Sequence, residues 1–169
     1  PPSIDEWVRT VSVSVLKACN LNNLDLPILM CEPGRSIVST SGVTIYKIGS
    51  FKIVPGIRTY ISVDGGMSDN PRPITYQSKY SACLVNDPLN KDPQKTYTVA
   101  GKHCESGDVL LKELELGNCK TGDLLCVFGT GAYNNSMSSN YNRIPKPATI
   151  LVSNGQAELI QRRESPLDL

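Results

Sequence analysis

Apolar residues recur at three- and four-residue steps over positions 4–19, IDEWVRTVSVSVLKAC. Trp7, Val8, Val11, Val15 and Leu16 fall on one stripe, which is the period of an amphipathic helix. Ser3 is placed to cap it, with Asp5 and Glu6 in the first turn, where the dipole favours negative charge. After the loop LNNLDLP, the run ILMC (28–31) is continuously apolar, as expected of a buried parallel strand. Glu32-Pro33-Gly34-Arg35 follows directly, and SIVSTSGV predicts a helical turn or two. This strand–turn–helix is the one βα-like unit in the pattern.

Beyond it the pattern changes. VTIYKIGSFKIV, TYISVDGG, YSACLV, KTYTVAG, DVLLKELELG and DLLCVFG are short runs rich in β-branched or aromatic residues, with turn signals between them. SNGQ (153–156), between ATILV and AELIQ, predicts a hairpin turn. Strands at this spacing predict a mainly β architecture, a barrel or sandwich. Residues 1–45 therefore read as the end of an α/β unit and 46–169 as a β-domain.

Composition narrows the function classes. The chain has 169 residues, 40% hydrophobic and 20% charged, with a formal net charge of +1. That balance gives no electrostatic reason to expect nucleic acid or a membrane surface as partner. No apolar run approaches the ~20 residues of a membrane span. The start, PPSIDEWVRT, has neither the basic nor the apolar segment of a signal peptide and no initiator methionine, which predicts a fragment of a longer chain. Six cysteines (19, 31, 83, 104, 119, 126) are scattered without a C-x-x-C pair. In a chain without a secretory signal this predicts free thiols in a reducing compartment.

Four stretches carry candidate chemistry. At Glu32-Pro33-Gly34-Arg35, free N–H groups at a helix start form an anion site, and Gly34 admits a phosphate to the backbone; a plain βα turn has the same spacing. In VDGGMSDNPRPITY (63–76), Arg72 stands between Pro71 and Pro73, which predicts an extended segment of low entropy. A guanidinium so fixed suits a carboxylate, though a surface arginine in a rigid loop fits as well. GTGAYNNSMSSNYNRIPKP (129–147), with Tyr133 and Tyr141, is longer than ordinary connections and predicts an ordered functional loop. GKHCESGD (101–108) sets His103, Cys104 and Glu105 side by side. Adjacent His and Cys rarely serve one ion, so no metal site is expected. Glu105 opposes a nucleophilic thiolate, although His103 can offset it. A free thiol has a pKa of about 8.5 and is mostly protonated at neutral pH, so Cys104 suits proton donation, with Glu105 left to bind an ammonium group. A buried structural cysteine remains an alternative on spacing alone.

EPGRSIV, VDGGMSDNPRPITY, GKHCESGD, GTGAYNNSMSSNYNR and the terminal RRESPLDL, in this order and spacing, resemble the diaminopimelate decarboxylase family. These are alanine-racemase-like (fold type III) decarboxylases that use pyridoxal 5'-phosphate. The resemblance implies a β-domain with Greek-key connections, preceded in residues 1–45 by the last helix and strand of a cofactor-binding (β/α)8 barrel. It implies that Glu32, Pro33, Gly34 and Arg35 cradle the cofactor phosphate, and that Arg35, Arg72, Tyr76, Glu105 and Tyr133 bind substrate, Tyr133 touching the cofactor as well. It makes Cys104 the catalytic proton donor. The implied substrate is meso-diaminopimelate, decarboxylated to L-lysine. The implied assembly is a homodimer in which Cys104 and Glu105 reach the partner's active site. The implied location is cytoplasmic, or the plastid stroma in a photosynthetic eukaryote. The family's Schiff-base lysine matches no lysine here, so the chain alone is expected to be inactive. The alternatives are a relative acting on arginine, ornithine or carboxynorspermidine, and a non-catalytic β-domain binding module.

Overall fold

The computed structural model describes residues 3–91 and 94–169, which divide into two compact units, Pro1–Pro33 and Gly34–Leu169. In the first, helix α1 (Ile4–Asn22) opens with a capping box. The Ser3 hydroxyl accepts from the Glu6 N–H at 3.2 Å, and the Glu6 carboxylate accepts from the Ser3 N–H at 2.9 Å. Two otherwise orphaned donors are thereby satisfied. The helix ends where Asn23 turns left-handed, at φ 53°, a conformation asparagine tolerates. Trp7, Val8 and Leu16 remain about half exposed, so the stripe that defines the helix is only partly covered. The predicted strand at 28–31 does not form. That stretch lies outside regular structure, and Ile28 and Met30 are 90% and 92% exposed. A parallel strand exists only by pairing with neighbours, and none of the described strands pairs with it.

The second unit is mainly β. Six strands, β1 (Val43–Val54), β2 (Arg58–Val63), β3 (Ala82–Leu84), β4 (Lys95–Ala100), β5 (Val109–Leu116) and β6 (Leu124–Phe128), form one sheet in the order β3-β6-β1-β2-β4-β5. All neighbours are antiparallel except β2 and β4. The sheet's two edge strands, β3 and β5, also touch, so the sheet curls into a nearly closed barrel. Alternate residues point inward. Ile48, Ile61, Val63, Val99, Leu116, Leu125 and Val127 are at most 3% exposed, and each such side chain contributes about 1.5–3 kcal/mol of burial. The β1–β2 turn carries Pro55 and Gly56, with Gly56 at φ 71°, as a type II turn requires. A separate hairpin, β7 (Thr149–Ser153) with β8 (Gln156–Gln161), turns at Asn154-Gly155. Both residues have positive φ, the type I′ geometry expected of SNGQ.

The unit also carries two short α-helices, α2 (Arg35–Val38), directly after Gly34, and α3 (Arg72–Tyr76). The second corrects an expectation. Arg72 opens a helix with Pro71 as its N-cap rather than lying in an extended segment. Proline's fixed φ serves a first helical turn as readily as an extended chain, and the Thr75 N–H closes that turn onto the Pro71 carbonyl at 3.0 Å.

Candidate active site

The segment 129–131 docks on 38–44 through four hydrogen bonds. The Thr130 N–H donates to the Gly42 carbonyl at 3.0 Å and the Gly131 N–H to the Ser39 carbonyl at 3.1 Å. The Ser39 hydroxyl donates to the Gly129 carbonyl at 3.0 Å, and the Thr44 and Thr130 hydroxyls meet at 2.9 Å. The next residues are anchored on either side of Tyr133. Ala132 and Asn134 are buried, and the Asn134 amide donates to the Asn70 side-chain oxygen at 2.8 Å. Tyr133 between them adopts φ 70°, a left-handed conformation that costs a tyrosine roughly 1–3 kcal/mol. Its ring, 46% exposed, is thereby turned outward, and its hydroxyl abuts Gly34, where any Cβ would overlap it.

Two arginines lie over tyrosine rings, one of them over Tyr133 itself. The Arg72 guanidinium lies 5.6 Å from the Tyr133 ring centre and 4.9 Å from that of Tyr76, both within cation–π range. Arg35, next to Gly34, lies 5.7 Å over Tyr80. Arg72 Nε and Arg35 Nη1 are buried without a hydrogen-bond partner, as is the Tyr80 hydroxyl. Neither arginine is ion-paired among the described residues. Buried donors left unpaired cost free energy, and an anionic ligand is one partner that could satisfy them. Gly34, beside Arg35, makes room for the Tyr133 hydroxyl, and the two guanidinium groups suit carboxylate or phosphate. Glu32 and Pro33 are exposed and fall in the first unit.

The third stretch is pinned by a buried pair. His103 Nδ1 and Asp108 Oδ2 are 2.9 Å apart, and both side chains are almost wholly buried. The Glu105 N–H donates to the His103 carbonyl at 2.8 Å and the Asp108 N–H to the Glu105 carbonyl at 3.1 Å, which tightens the turn. Cys104 and Glu105 project from it, both exposed, which removes the buried structural cysteine. The His103 ring is engaged with Asp108 and stacked on Tyr141, centroids 5.9 Å apart, rather than serving the thiol. Glu105 accepts from the Gly107 N–H at 3.2 Å and the Ser106 hydroxyl at 3.3 Å. Among the described residues no hydrogen bond, ion pair or ring contact joins Cys104 or Glu105 to Arg35, Arg72, Tyr76 or Tyr133. No cluster of metal-ligating side chains occurs among the described residues either.

Tyr80 escaped the sequence reading because nothing local marks it as the platform under Arg35. Asp108 also escaped, although a carboxylate five residues beyond the only histidine, in a glycine-flanked turn, was a usable signal.

Residues 35–131 match the family model described as pyridoxal-dependent decarboxylase, C-terminal sheet domain. The chain is 57% identical, over its whole length and 36% of the relative's, to the diaminopimelate decarboxylase of Synechocystis sp.. Among solved structures, it resembles the crystal structure of diaminopimelate decarboxylase from M. jannaschii, with a TM-score of 0.83 and 31% identity over 99% of this chain and 37% of that one. It also resembles the M. jannaschii enzyme in co-complex with L-lysine, with a TM-score of 0.77 and 31% identity over 92% of this chain and 35% of that one. The chain thus spans little more than a third of the length of these relatives.

Proposed function

The chain belongs to the pyridoxal-dependent decarboxylases, whose C-terminal sheet domain it carries, and from that premise we propose that it forms the C-terminal part of a diaminopimelate decarboxylase. The reaction is loss of carbon dioxide from meso-diaminopimelate to give L-lysine. The observation that carries this reading is the pair of half-buried guanidinium groups of Arg35 and Arg72, each with a buried nitrogen that lacks a hydrogen-bond partner, with Arg72 beside Tyr133, whose hydroxyl abuts Gly34. Diaminopimelate bears a carboxylate and an ammonium group at each end, so its recognition calls for both charges. Arg72 and Arg35 take carboxylate, with Tyr76 and Tyr133 framing them, and Glu105 takes the far ammonium group. Gly34, Arg35 and the Tyr133 hydroxyl would hold the phosphate of the cofactor. Pyridoxal phosphate, when bound, supplies the electron sink for the decarboxylation. Cys104 Sγ then delivers the proton that replaces the lost carboxylate.

Cys104 and Glu105 are exposed, and among the described residues neither is bonded to the arginine group, which supports a homodimer in which they serve the partner's site. Residues 1–45 belong, in this reading, to the end of the cofactor-binding barrel and 46–169 to the β-domain. Among the described residues no helix is long and apolar enough to cross a membrane. A cytoplasmic or plastid-stromal location rests on the resemblance alone.

The test uses the full-length enzyme and carbon dioxide release from meso-diaminopimelate. Cys104→Ala should lower kcat at least about 100-fold, the order of a general-acid contribution, and leave KM within about threefold. Mixing inactive Cys104→Ala dimers with inactive dimers lacking the Schiff-base lysine should restore partial activity, because one of the mixed dimer's two sites is intact. Near-normal turnover of Cys104→Ala refutes the proton-donor role. Subunit exchange without recovery refutes the shared site.

A further inference from the structure

We propose that Asp108, acting through His103, is the positioning residue that sets the Cys104–Glu105 turn against the loop carrying Arg72; this rests on the function proposed above. Asp108 is only 3% exposed, yet its carboxylate receives three donors from two loops. Its Oδ2 accepts from the His103 N–H at 2.9 Å and from His103 Nδ1 at 2.9 Å, and its Oδ1 accepts from the Met67 N–H at 2.7 Å. An ionised carboxylate only accepts, so against one this contact calls for the imidazole proton on Nδ1. Room for the carboxylate comes from glycines on both sides, since a Cβ at Gly66 or at Gly101 would overlap Asp108. The backbone repeats the connection, with the Lys102 N–H on the Gly65 carbonyl at 3.0 Å. His103 then stacks on Tyr141 of the tyrosine loop. That loop meets the arginine loop again where the Ser139 N–H donates to the Ser68 carbonyl at 2.8 Å.

One buried carboxylate thus joins the turn that presents the proton donor to the segment that leads into α3 and Arg72. The mechanism itself uses neither His103 nor Asp108. A turn tied to a second loop through one shared acceptor has few alternative conformers, and misplacing a reacting group by about 1 Å costs on the order of 100-fold in rate.

A double-mutant cycle in the full-length enzyme separates positioning from general stability. Asp108→Asn, which sets an amide against three donors, should lower kcat by about 10- to 100-fold when Cys104 is present. In a Cys104→Ala background it should lower the residual rate by less than about threefold, because the thiol it positions is gone. Equal losses in both backgrounds, or no loss in either, overturn the proposal. His103 supplies a second route. His103→Asn keeps a donor near the Nδ1 position and should retain most activity, whereas His103→Leu should match Asp108→Asn; equal activity of the two His103 variants also overturns it. A third measurement needs no turnover: alkylation of Cys104 by iodoacetamide, followed on its own peptide by mass spectrometry, should change several-fold in Asp108→Asn. Should Cys104→Ala prove fully active, the proton-donor reading fails. The positioning then stands or falls on the alkylation rate, an unchanged rate sinking it.

Discussion

Replacing Gly131 with alanine strikes the joint that holds the tyrosine loop. A Cβ there would land on the Val38 carbonyl oxygen, 2.8 Å from the Gly42 nitrogen and 3.2 Å from its Cα. All three are backbone atoms, so no rotamer change relieves the overlap and the two segments must part. Parting them breaks up to four hydrogen bonds, the two backbone bonds of Thr130 and Gly131 and the two hydroxyl bonds of Ser39 and Thr44. At a net 0.5–1.5 kcal/mol each, their complete loss is about 2–6 kcal/mol, and partial re-pairing with water brings the expectation to about 2–4 kcal/mol. Gly155→Ala is the control. Gly155 has φ 75° with nothing within 4 Å of a built Cβ, so only the left-handed backbone penalty of about 1–2 kcal/mol applies. Urea denaturation followed by circular dichroism compares the two, with the m-value expected to stay constant. In the full-length enzyme Gly131→Ala should also weaken cofactor retention, because Tyr133 loses its seat beside Gly34. If Gly131→Ala is no more destabilising than Gly155→Ala, the docking of 129–131 on 38–44 is not what holds the loop.

Arg72→Lys should raise KM for meso-diaminopimelate at least about tenfold, ~1.4 kcal/mol, in the full-length enzyme. The planar group between Tyr76 and Tyr133 is lost although the charge remains, and the cofactor's absorbance should not change; an unaltered KM removes Arg72 from substrate binding. Alkaline pH should destabilise the β unit. Burial, then the hydrogen bond and charge of Cys119, push the Tyr97 phenol up to about 12, and burial pushes up the Cys83, Cys119 and Cys126 thiols. The folded state therefore holds these protons more tightly than the unfolded chain. The stabilisation is complete below the unfolded values, about 8.5 for thiols and 10 for the phenol, and is lost as pH rises toward the folded values. The denaturation midpoint should fall from pH 8.5 upward, and Tyr97→Phe should flatten the part above pH 10; an identical profile for that variant refutes the assignment.

What was legible in the sequence had a local cause. The first helix showed in its stripe and its Ser3–Glu6 cap, and the last hairpin in Asn154-Gly155, because periodicity and turn chemistry are written within a few residues. The run at 28–31 misled for the complementary reason. Its apolar side chains are compatible with a buried strand, but strand formation depends on a neighbour that no local pattern supplies. Arg72 misled because Pro71 and Pro73 fix φ at a value common to extended chain and first helical turn; the choice falls to the Thr75 bond onto the Pro71 carbonyl. The candidate site residues stand in recognisable motifs, while the residues that hold those motifs in place do not. Tyr133 faces Gly34 and Arg72 because its neighbours Ala132 and Asn134 are buried and its backbone is left-handed, and Asn134 is buried because Asn70, far away in sequence, accepts its amide. Side chains that meet ligand are chemically distinctive and so stand out along the chain. Those that orient them, such as Tyr80 and Asp108, are ordinary residue types whose role exists only once the loops have met. A search of sequence for such supports should therefore start from the partner each exposed functional turn needs for closure, as Cys104–Glu105 needs an acceptor for the His103 N–H and ring.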